Sequence, residues 1–227
     1  MVSSAAGGSS RAVVFDLDGA LVDSAPGILE AFSRTLADTG HAARHAELTA
    51  LIGPPLNESF RSLGYREDEL PAIVARYRRH YADIGVERCA PYPGIPALLA
   101  RLRSEGRTLA VATAKRVDFA RAILAAHRLD QHFAVIEGAP VDGALGPKSD
   151  IVRRACADLA PARAAVLVGD RRFDVAAAHA CGLVAVGVTW GYGSLHELRE
   201  AGTDAIATSP EDLAAILARA ALSRVAS

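Results

Sequence analysis

Two aspartates, Asp16 and Asp18, stand two positions apart in the segment FDLDG, directly after the apolar run RAVV. Alternate residues of a β-strand point to the same side, so both carboxylates are expected at one place where a buried strand ends. Like charges that lie close together in a poorly solvated position repel each other and raise a pKa. The pair therefore predicts a cation held between the carboxylates, a carboxyl that donates a proton, or both.

Other polar side chains also follow apolar runs. Thr113 lies in VATAK, Lys148 follows a Gly-Pro pair, and Asp170 and Asp174 lie in VGDRRFD. Mg²⁺ prefers oxygen ligands, and phosphoryl transfer needs a nucleophile, cations around the transferred oxygens and a proton donor. A carboxylate can itself be the nucleophile by forming an aspartyl phosphate. Together with the first pair, these residues indicate a magnesium-assisted phosphoryl transfer.

The two lysines of the chain are a further signal. Of 25 basic residues, only Lys115 and Lys148 are lysine, and the others are arginine. Under such a bias, a lysine marks a position where a compact ammonium is needed and a planar guanidinium does not serve. Lys115 follows Thr113 by two residues, so it is predicted either to touch the substrate at the same strand end or to be a solvated lysine at a helix start.

These residues need a framework that brings strand ends together. Apolar, β-branched runs alternate with helical patterns along most of the chain, which predicts an α/β fold with a doubly wound parallel sheet. Ligands of such sheets bind beyond the carboxyl ends of the strands, where the polar residues above would lie. The predicted strands are RAVVFDLD, TLAVATA, FAVIEG, AAVLVGD, VAVGVTW and DAIATS.

The domain organisation follows from where this alternation stops. Residues 24–89 contain helical patterns and no strand-like run, so they are predicted to form a small all-helical cap domain inserted after the first strand. Residues 11–23 and 90–227 are assigned to the α/β core, with CAPYPG (89–94) as a linker. Residues 1–10, small and polar, are expected to be a disordered leader and not a signal peptide.

The composition limits the kinds of partner that we expect this protein to bind. A net charge of −1 and a pI near 6.7 offer no electrostatic case for nucleic acid or an anionic membrane surface. No apolar run approaches the ~18 residues that a membrane span needs. Three widely spaced cysteines fit a reducing cytoplasm rather than a disulfide framework. We expect a monomer or homodimer that acts on a small phosphorylated metabolite.

The motifs FDLDGALVDS, VATAK, GPK and VGDRRFD, in this order, resemble the four motifs of the haloacid dehalogenase (HAD) superfamily. The helical insert resembles that superfamily's small cap on a Rossmann-like core. IGPPLNESF, PYPGI, GDRRFD and GVTWGYGS are similar to the phosphoglycolate phosphatase and bacterial 5'-nucleotidase branch. The resemblance covers about residues 11–217. It implies a Mg²⁺-dependent phosphatase of a small phosphomonoester, with phosphoglycolate, a nucleoside monophosphate or a biosynthetic intermediate as substrate.

The resemblance also implies roles for individual residues. Asp16 is expected to be the nucleophile, and Asp18 the general acid for the leaving alkoxide and then the base for water. The expected metal site is formed by Asp16, Asp18 through its backbone carbonyl, Asp170 and Asp174. The residues expected to bind the phosphate or the rest of the substrate are Thr113, Ala114, Lys115 and Lys148.

The chain departs from the superfamily pattern at Ala20, where a threonine usually follows DxDG. The absence of this hydroxyl is expected to affect the catalytic rate and the geometry of Asp18. It removes neither the expected nucleophile nor an expected metal ligand. A phosphomutase would use the same residues, whereas a dehalogenase or a receiver-like domain has no use for Asp18. A non-catalytic binding protein is the remaining alternative. In the cap, the candidates for substrate specificity are Gly53, Pro54, Pro55, Asn57 and Arg61.

Overall fold

The structure is a computed structural model that describes residues 11–40, 48–141, 146–160 and 162–222. The predicted leader, residues 1–10, lies outside the described residues. The strands are β1 (Arg11–Phe15), β2 (Val22–Asp23), β3 (Ala90–Pro91), β4 (Leu109–Arg116), β5 (Val135–Ala139), β6 (Arg163–Gly169), β7 (Val184–Val188) and β8 (Ala205–Ala207). The helices are α1 (Ala25–Ala37), α2 (Leu56–Ser62), α3 (Leu70–Ile84), α4 (Ile95–Ser104), α5 (Val117–Ala126), α6 (Lys148–Asp158), α7 (Arg172–Ala180), α8 (Leu195–Glu200) and α9 (Pro210–Leu222), with a 3₁₀ turn at Asp130–His132.

The main sheet has six strands in the order β5-β4-β1-β6-β7-β8, and every neighbouring pair is parallel. Both faces of the sheet are covered, as the near-continuous apolar strands predicted. In β1, Val13 and Phe15 pack into one apolar cluster, while Ala12 and Val14 pack into the other. The prediction of a doubly wound parallel sheet is therefore confirmed.

The strand order reverses beside β1. Strands β4 and β5 lie on one side of β1 within the sheet, and the next strand in the chain, β6, lies on the other side of β1. Adjacent crossovers leave in opposite directions at such a point and open a crevice at the carboxyl ends of the strands. Asp16 is the first residue after β1, and its amide donates to the carbonyl of Val168 on β6 at 2.8 Å.

The predicted all-helical insert is also present. Helices α1, α2 and α3 bury an apolar cluster of their own, in which the ring of Phe32 lies 5.3 Å from that of Phe60 and 4.6 Å from that of Tyr77. Entry and exit run side by side, because β2 pairs with β3 in antiparallel fashion. The segment 89–94, expected as a linker, thus contains a short strand. The domain limits at residues 24 and 89 stay a prediction.

No helix in the described part of the chain is long and apolar enough to cross a membrane. Cys89, Cys156 and Cys181 are free thiols.

Candidate active site

The centre of the site is an ammonium ion surrounded by carboxylates. Lys148 is the first residue of α6, and its Nζ lies 2.8 Å from Oδ1 of Asp16 and also contacts Oδ1 of Asp174. Only 10% of the Lys148 side chain is exposed. The structure therefore brings together three residues that lie up to 158 positions apart in the chain. They meet at the crevice that the sheet topology creates.

A cluster of three buried carboxylates adjoins this lysine. Asp16, Asp170 and Asp174 each offer one oxygen, and these oxygens all lie within 4.8 Å of one another. Oδ2 of Asp170 accepts hydrogen bonds from the amides of Tyr192 (2.6 Å) and Gly193 (3.3 Å). Oδ2 of Asp174 accepts from the amide of Arg171 at 3.0 Å, within the first turn of α7.

The cluster has the chemistry of a magnesium site. Oδ1 of Asp170 is buried and has no hydrogen-bond partner among the described residues. A buried carboxylate oxygen without a partner is costly unless a cation or a proton meets it. Three carboxylates around one point, with two of them held by backbone amides, suit a hard cation that takes oxygen ligands. Asp18 does not contribute its side chain to this cluster.

Burial and mutual repulsion govern the charges here. Burial, followed by the nearby carboxylates, raises the pKa of Asp16 to about 7 against the pull of Lys148. Burial and the charges of Asp174 and Asp16 raise the pKa of Asp170 to about 8. Burial alone would lower the pKa of Lys148, but Asp16 and Asp174 raise it above its usual range. Protons and a metal ion must therefore compete for the same carboxylates.

We predict that the metal-free protein loses stability as the pH rises from about 5 to about 8. Over this range the folded protein retains protons on Asp16 and Asp170 that the unfolded chain has already released, so the free energy of unfolding falls with pH. Carboxyls whose pKa values are lowered, such as those of Asp118 and Asp204, change the free energy of unfolding at pH values below this range. Thermal unfolding in EDTA across this pH range measures the slope.

Saturating Mg²⁺ should flatten that slope, because the metal ion replaces the protons. Asp170→Asn should also reduce it, because that variant removes one of the two carboxyls. A stability that rises between pH 5 and pH 8 without metal would contradict the prediction.

Gly19 explains how the loop after β1 fits against this cluster. Its φ is +85°, and a Cβ atom at this position would collide with the carboxylate of Asp170. A residue without a side chain is needed for both reasons. The glycine of the FDLDG segment thus allows the loop to close over the carboxylate of Asp170.

Asp18 lies beside the cluster and is held by two other groups. Ser24 Oγ donates to its Oδ1 at 2.5 Å, and the ammonium of Lys115 lies 3.1 Å from the same oxygen. The Lys115 ammonium also donates to the hydroxyl of Tyr81, on cap helix α3, at 2.7 Å. Only 7% of the Lys115 side chain is exposed, so the alternative of a solvated lysine is wrong.

Thr113 and Ala114 lie where β4 reaches the crevice, and both line the cavity above Asp16. The hydroxyl of Thr113 is buried and accepts a hydrogen bond from the amide of Lys115 at 3.1 Å. Helix α5 begins at Val117 with Arg116 at its N-cap position, so Thr113 does not cap it. The hydroxyl therefore lies at the cavity, and its contact with phosphate stays a prediction.

The cap candidates divide into two sets. Gly53, Pro54 and Pro55 line the same cavity as Asp16 and Asp18. Asn57 and Arg61 are not among the described residues that line it, and Arg61 is paired with Glu67 on the exposed side of the cap. Of the specificity candidates, the Gly-Pro-Pro loop therefore lies at the cavity beside Asp16, and a role in specificity stays a prediction.

Ala20 is buried at 2% exposure, and its carbonyl accepts a hydrogen bond from the Trp190 indole at 3.1 Å. We predict that Ala20→Thr keeps or raises kcat on a good substrate, because it restores the hydroxyl that the related motif has. The added atoms enter a packed site, so stability should fall by about 1–3 kcal/mol. Steady-state kinetics and thermal unfolding measure the two effects. A large loss of kcat with the fold intact would show that this loop is built around alanine.

Several residues of the site were missed by sequence reasoning. Tyr192 donates from its hydroxyl to Asp23 at 2.9 Å and accepts from the amides of Ser24 and Ala25, so it ties the cap entry to the core. Arg171 reaches the carbonyl of Ile52 in the cap. The GYGS segment lies near the site, where the amides of Tyr192 and Gly193 reach Asp170, but nothing in its pattern indicated these particular partners.

The sequence and the fold of this chain are similar to those of known proteins. The family model for haloacid dehalogenase-like hydrolases matches residues 13–188. A solved structure of a predicted phosphatase from Clostridium acetobutylicum superposes with a TM-score of 0.87 at 34% identity, over 92% of this chain and 99% of that one. The chain belongs to the haloacid dehalogenase-like hydrolases. The relatives of this chain in that family include proteins named as phosphatases.

Relatives with functional names extend this comparison. A phosphoglycolate phosphatase from Cupriavidus necator is 38% identical over 95% of this chain and 96% of its own. A 5'-nucleotidase from Pseudomonas aeruginosa is 35% identical over 82% and 86%. These two confirm the branch that the motifs predicted. The tyrosine-protein kinase PtkA of Mycobacterium tuberculosis is 44% identical over 84% of this chain, which spans 66% of the kinase, just under two thirds of its length.

Proposed function

We propose that this protein is a Mg²⁺-dependent phosphatase that hydrolyses a small phosphomonoester through an aspartyl phosphate on Asp16. The observation that carries the proposal is the grouping of Asp16, Lys148, Asp170 and Asp174, with Asp18 beside them at the base of a cavity. Relatives named a phosphoglycolate phosphatase and a 5'-nucleotidase make phosphoglycolate, a nucleoside monophosphate and a biosynthetic intermediate the first substrates to test.

In the proposed first step, a carboxylate oxygen of Asp16 forms a bond to phosphorus while the ester oxygen leaves with the alcohol. Asp18 supplies the proton that the leaving alkoxide takes up. In the second step, Asp18 takes a proton from water, the water oxygen bonds to phosphorus, and the bond between phosphorus and Asp16 breaks. Inorganic phosphate is released and both aspartates return to their initial states.

The cations and donors around the cavity support this chemistry. The ammonium of Lys148 offsets repulsion between Asp16 and the incoming phosphate and stabilises charge on the transferring oxygens. The Thr113 hydroxyl and the backbone at Ala114 are proposed to hold a phosphate oxygen. When bound by Asp16, Asp170, Asp174 and the carbonyl of Asp18, Mg²⁺ supplies further neutralisation of the phosphate charge.

We predict that phosphate release stops in EDTA and returns on addition of excess Mg²⁺. The same addition should raise the melting temperature, because a ligand that binds only the folded state at 100 times its Kd adds about 2.7 kcal/mol. Release of inorganic phosphate from a phosphomonoester panel, with melting measured in parallel, tests both points. Full activity in EDTA would overturn the metal assignment.

A second candidate is phosphoryl transfer to a tyrosine hydroxyl, which the 44% identity with PtkA favours. Incubation with ATP labelled in its γ-phosphate and a tyrosine peptide separates the two. Label on the peptide supports transfer, and label only in inorganic phosphate supports hydrolysis. A phosphomutase would instead return the label to the substrate.

We also propose that the enzyme acts in the cytoplasm, as a monomer or homodimer, on a small metabolite and not on nucleic acid. The net charge of −1 and the three free thiols support this assignment. Analytical ultracentrifugation distinguishes the two oligomeric states.

A further inference from the structure

A cavity between the cap and the core opens directly onto Asp16 and Asp18. Its core side is formed by the end of β4, including Thr113 and Lys115, and its cap side by α1, α3 and the loop before α2. Whatever alcohol carries the phosphate must occupy this space while the phosphate lies against Asp16. The chemistry of the walls therefore selects the leaving group.

The cap wall is almost entirely apolar. Its larger side chains include Phe32, Ile52, Pro54, Leu56 and Tyr77, and Phe119 faces them from the core. The hydroxyl of the other lining tyrosine, Tyr81, already accepts from Lys115. Flat and branched apolar side chains of this kind suit a ring-sized apolar group. A two-carbon alcohol is too small to contact most of them.

Hydrogen-bond partners for a sugar are correspondingly scarce. Apart from groups already engaged beside Asp18, the described cap wall offers the Tyr77 hydroxyl and the Arg78 guanidinium as polar side-chain groups. A polyhydroxylated leaving group would bury several hydroxyls without partners, which is unfavourable. Both a small hydrophilic alcohol and a sugar therefore match the wall poorly.

Arg78, on α3, is a half-buried residue of the cavity lining. Its neighbour in the lining, Arg116, is paired with the exposed carboxylate of Asp118 and lies over the ring of Phe119. Arg78 has no carboxylate within ion-pair distance among the described residues. Burial, and then the nearby charge of Arg116, lower the pKa of Arg78 against the opposing effect of the Asp118 carboxylate. An anion at this position would relieve that repulsion and satisfy a half-buried cation.

We propose that the substrate is the phosphate ester of an apolar, ring-sized alcohol that carries an anionic group, which Arg78 receives. This proposal rests on the proposed phosphatase function. Hydrolysis follows the steps given above: the ester oxygen leaves with the alcohol, which takes its proton from Asp18, and water supplies the new oxygen of inorganic phosphate.

The test compares alkyl phosphates whose leaving groups are chemically similar but differ in shape and charge. We expect kcat/KM for benzyl phosphate to exceed that for ethyl phosphate by about tenfold, because the ring fills the apolar cavity. 4-Carboxybenzyl phosphate should gain about a further tenfold through a charge-assisted hydrogen bond to Arg78. Phosphoglycolate and ribose 5-phosphate should fall below benzyl phosphate.

Variants of α3 isolate the Arg78 contact. Arg78→Gln should remove the advantage of 4-carboxybenzyl over benzyl phosphate, and Arg78→Lys should restore part of it. Arg79→Gln is the matched control, because Arg79 is the next residue on the same helix and is exposed. Loss of the advantage in both variants equally would overturn the assignment of Arg78.

Binding separates the failure of this proposal from that of the proposed function. Affinities of 4-carboxybenzylphosphonate, benzylphosphonate and methylphosphonate for the Mg²⁺-loaded protein, measured by calorimetry, need no turnover. The expected order of affinity without any hydrolysis would overturn the phosphatase assignment and retain the substrate class. Hydrolysis with ethyl phosphate or phosphoglycolate preferred would overturn the substrate class and retain the phosphatase.

Discussion

Asp16→Asn should lower phosphatase turnover by on the order of 10⁴-fold or more, the scale on which loss of a covalent nucleophile acts. The amide cannot form the aspartyl phosphate, and the remaining residues of the site offer no substitute at the end of β1. The fold should persist, because the variant removes one of three carboxylates whose oxygens lie within 4.8 Å of one another. Its melting temperature without metal should therefore equal or exceed that of the wild type.

Release of inorganic phosphate and thermal unfolding in EDTA measure these effects. Rapid acid quench followed by mass spectrometry should find phosphate on the peptide that contains Asp16 in the wild type and none in the variant. Asp158→Asn is the control, because Asp158 is exposed at the far end of α6. Turnover near the wild-type rate in Asp16→Asn would remove this residue as the nucleophile.

Lys148→Arg should lower kcat/KM by about 100-fold or more, on the scale of losing one preorganised donor to the transition state. The ammonium contacts both Asp16 and Asp174 from a nearly buried position, and a wider planar guanidinium cannot occupy the same point. The positive charge is retained, so the variant should fold. Lys148→Met, by contrast, leaves the carboxylates uncompensated and should cost about 3–5 kcal/mol of stability.

Lys115→Arg provides the comparison, since it makes the same exchange at the other lysine of the chain. Lys115 contacts Asp18 and Tyr81 and lies apart from the nucleophile, so the loss should be smaller and should fall mainly on KM. Steady-state kinetics, circular dichroism and melting of both variants measure the contrast. If Lys148→Arg turns over normally, the scarcity of lysine reflects composition alone.

Much of the fold could be predicted because its signals are local. The six strands of the main sheet coincide with six apolar runs, since a strand covered on both faces excludes polar residues along its length. The polar residues that end those runs, such as Asp16, Thr113 and Asp170, had to meet once the sheet was parallel, because parallel strands end at one edge. The residues of the predicted metal cluster were found by this reasoning.

The cap contacts could not be predicted in the same way. For Lys115 the sequence left two alternatives open, a contact with the substrate or a solvated lysine. The structure shows that its ammonium bridges Asp18 and Tyr81. Its partner on α3 is 34 residues away and has no pattern that distinguishes it from any other core tyrosine. The choice depends on how α3 packs over the end of β4, which no local pattern specifies.

By itself, the sequence determined the class of fold, the carboxylate set and the place of the insert, because hydrophobic periodicity and short motifs are properties of neighbouring residues. The tertiary structure alone decided that Tyr192 ties the cap entry to the core, that Arg171 reaches Ile52, and that a largely apolar cavity lined by Arg78 opens onto Asp16. These features join side chains from separate elements, and their distances are set by the packing of cap on core rather than by the spacing of residues in the chain.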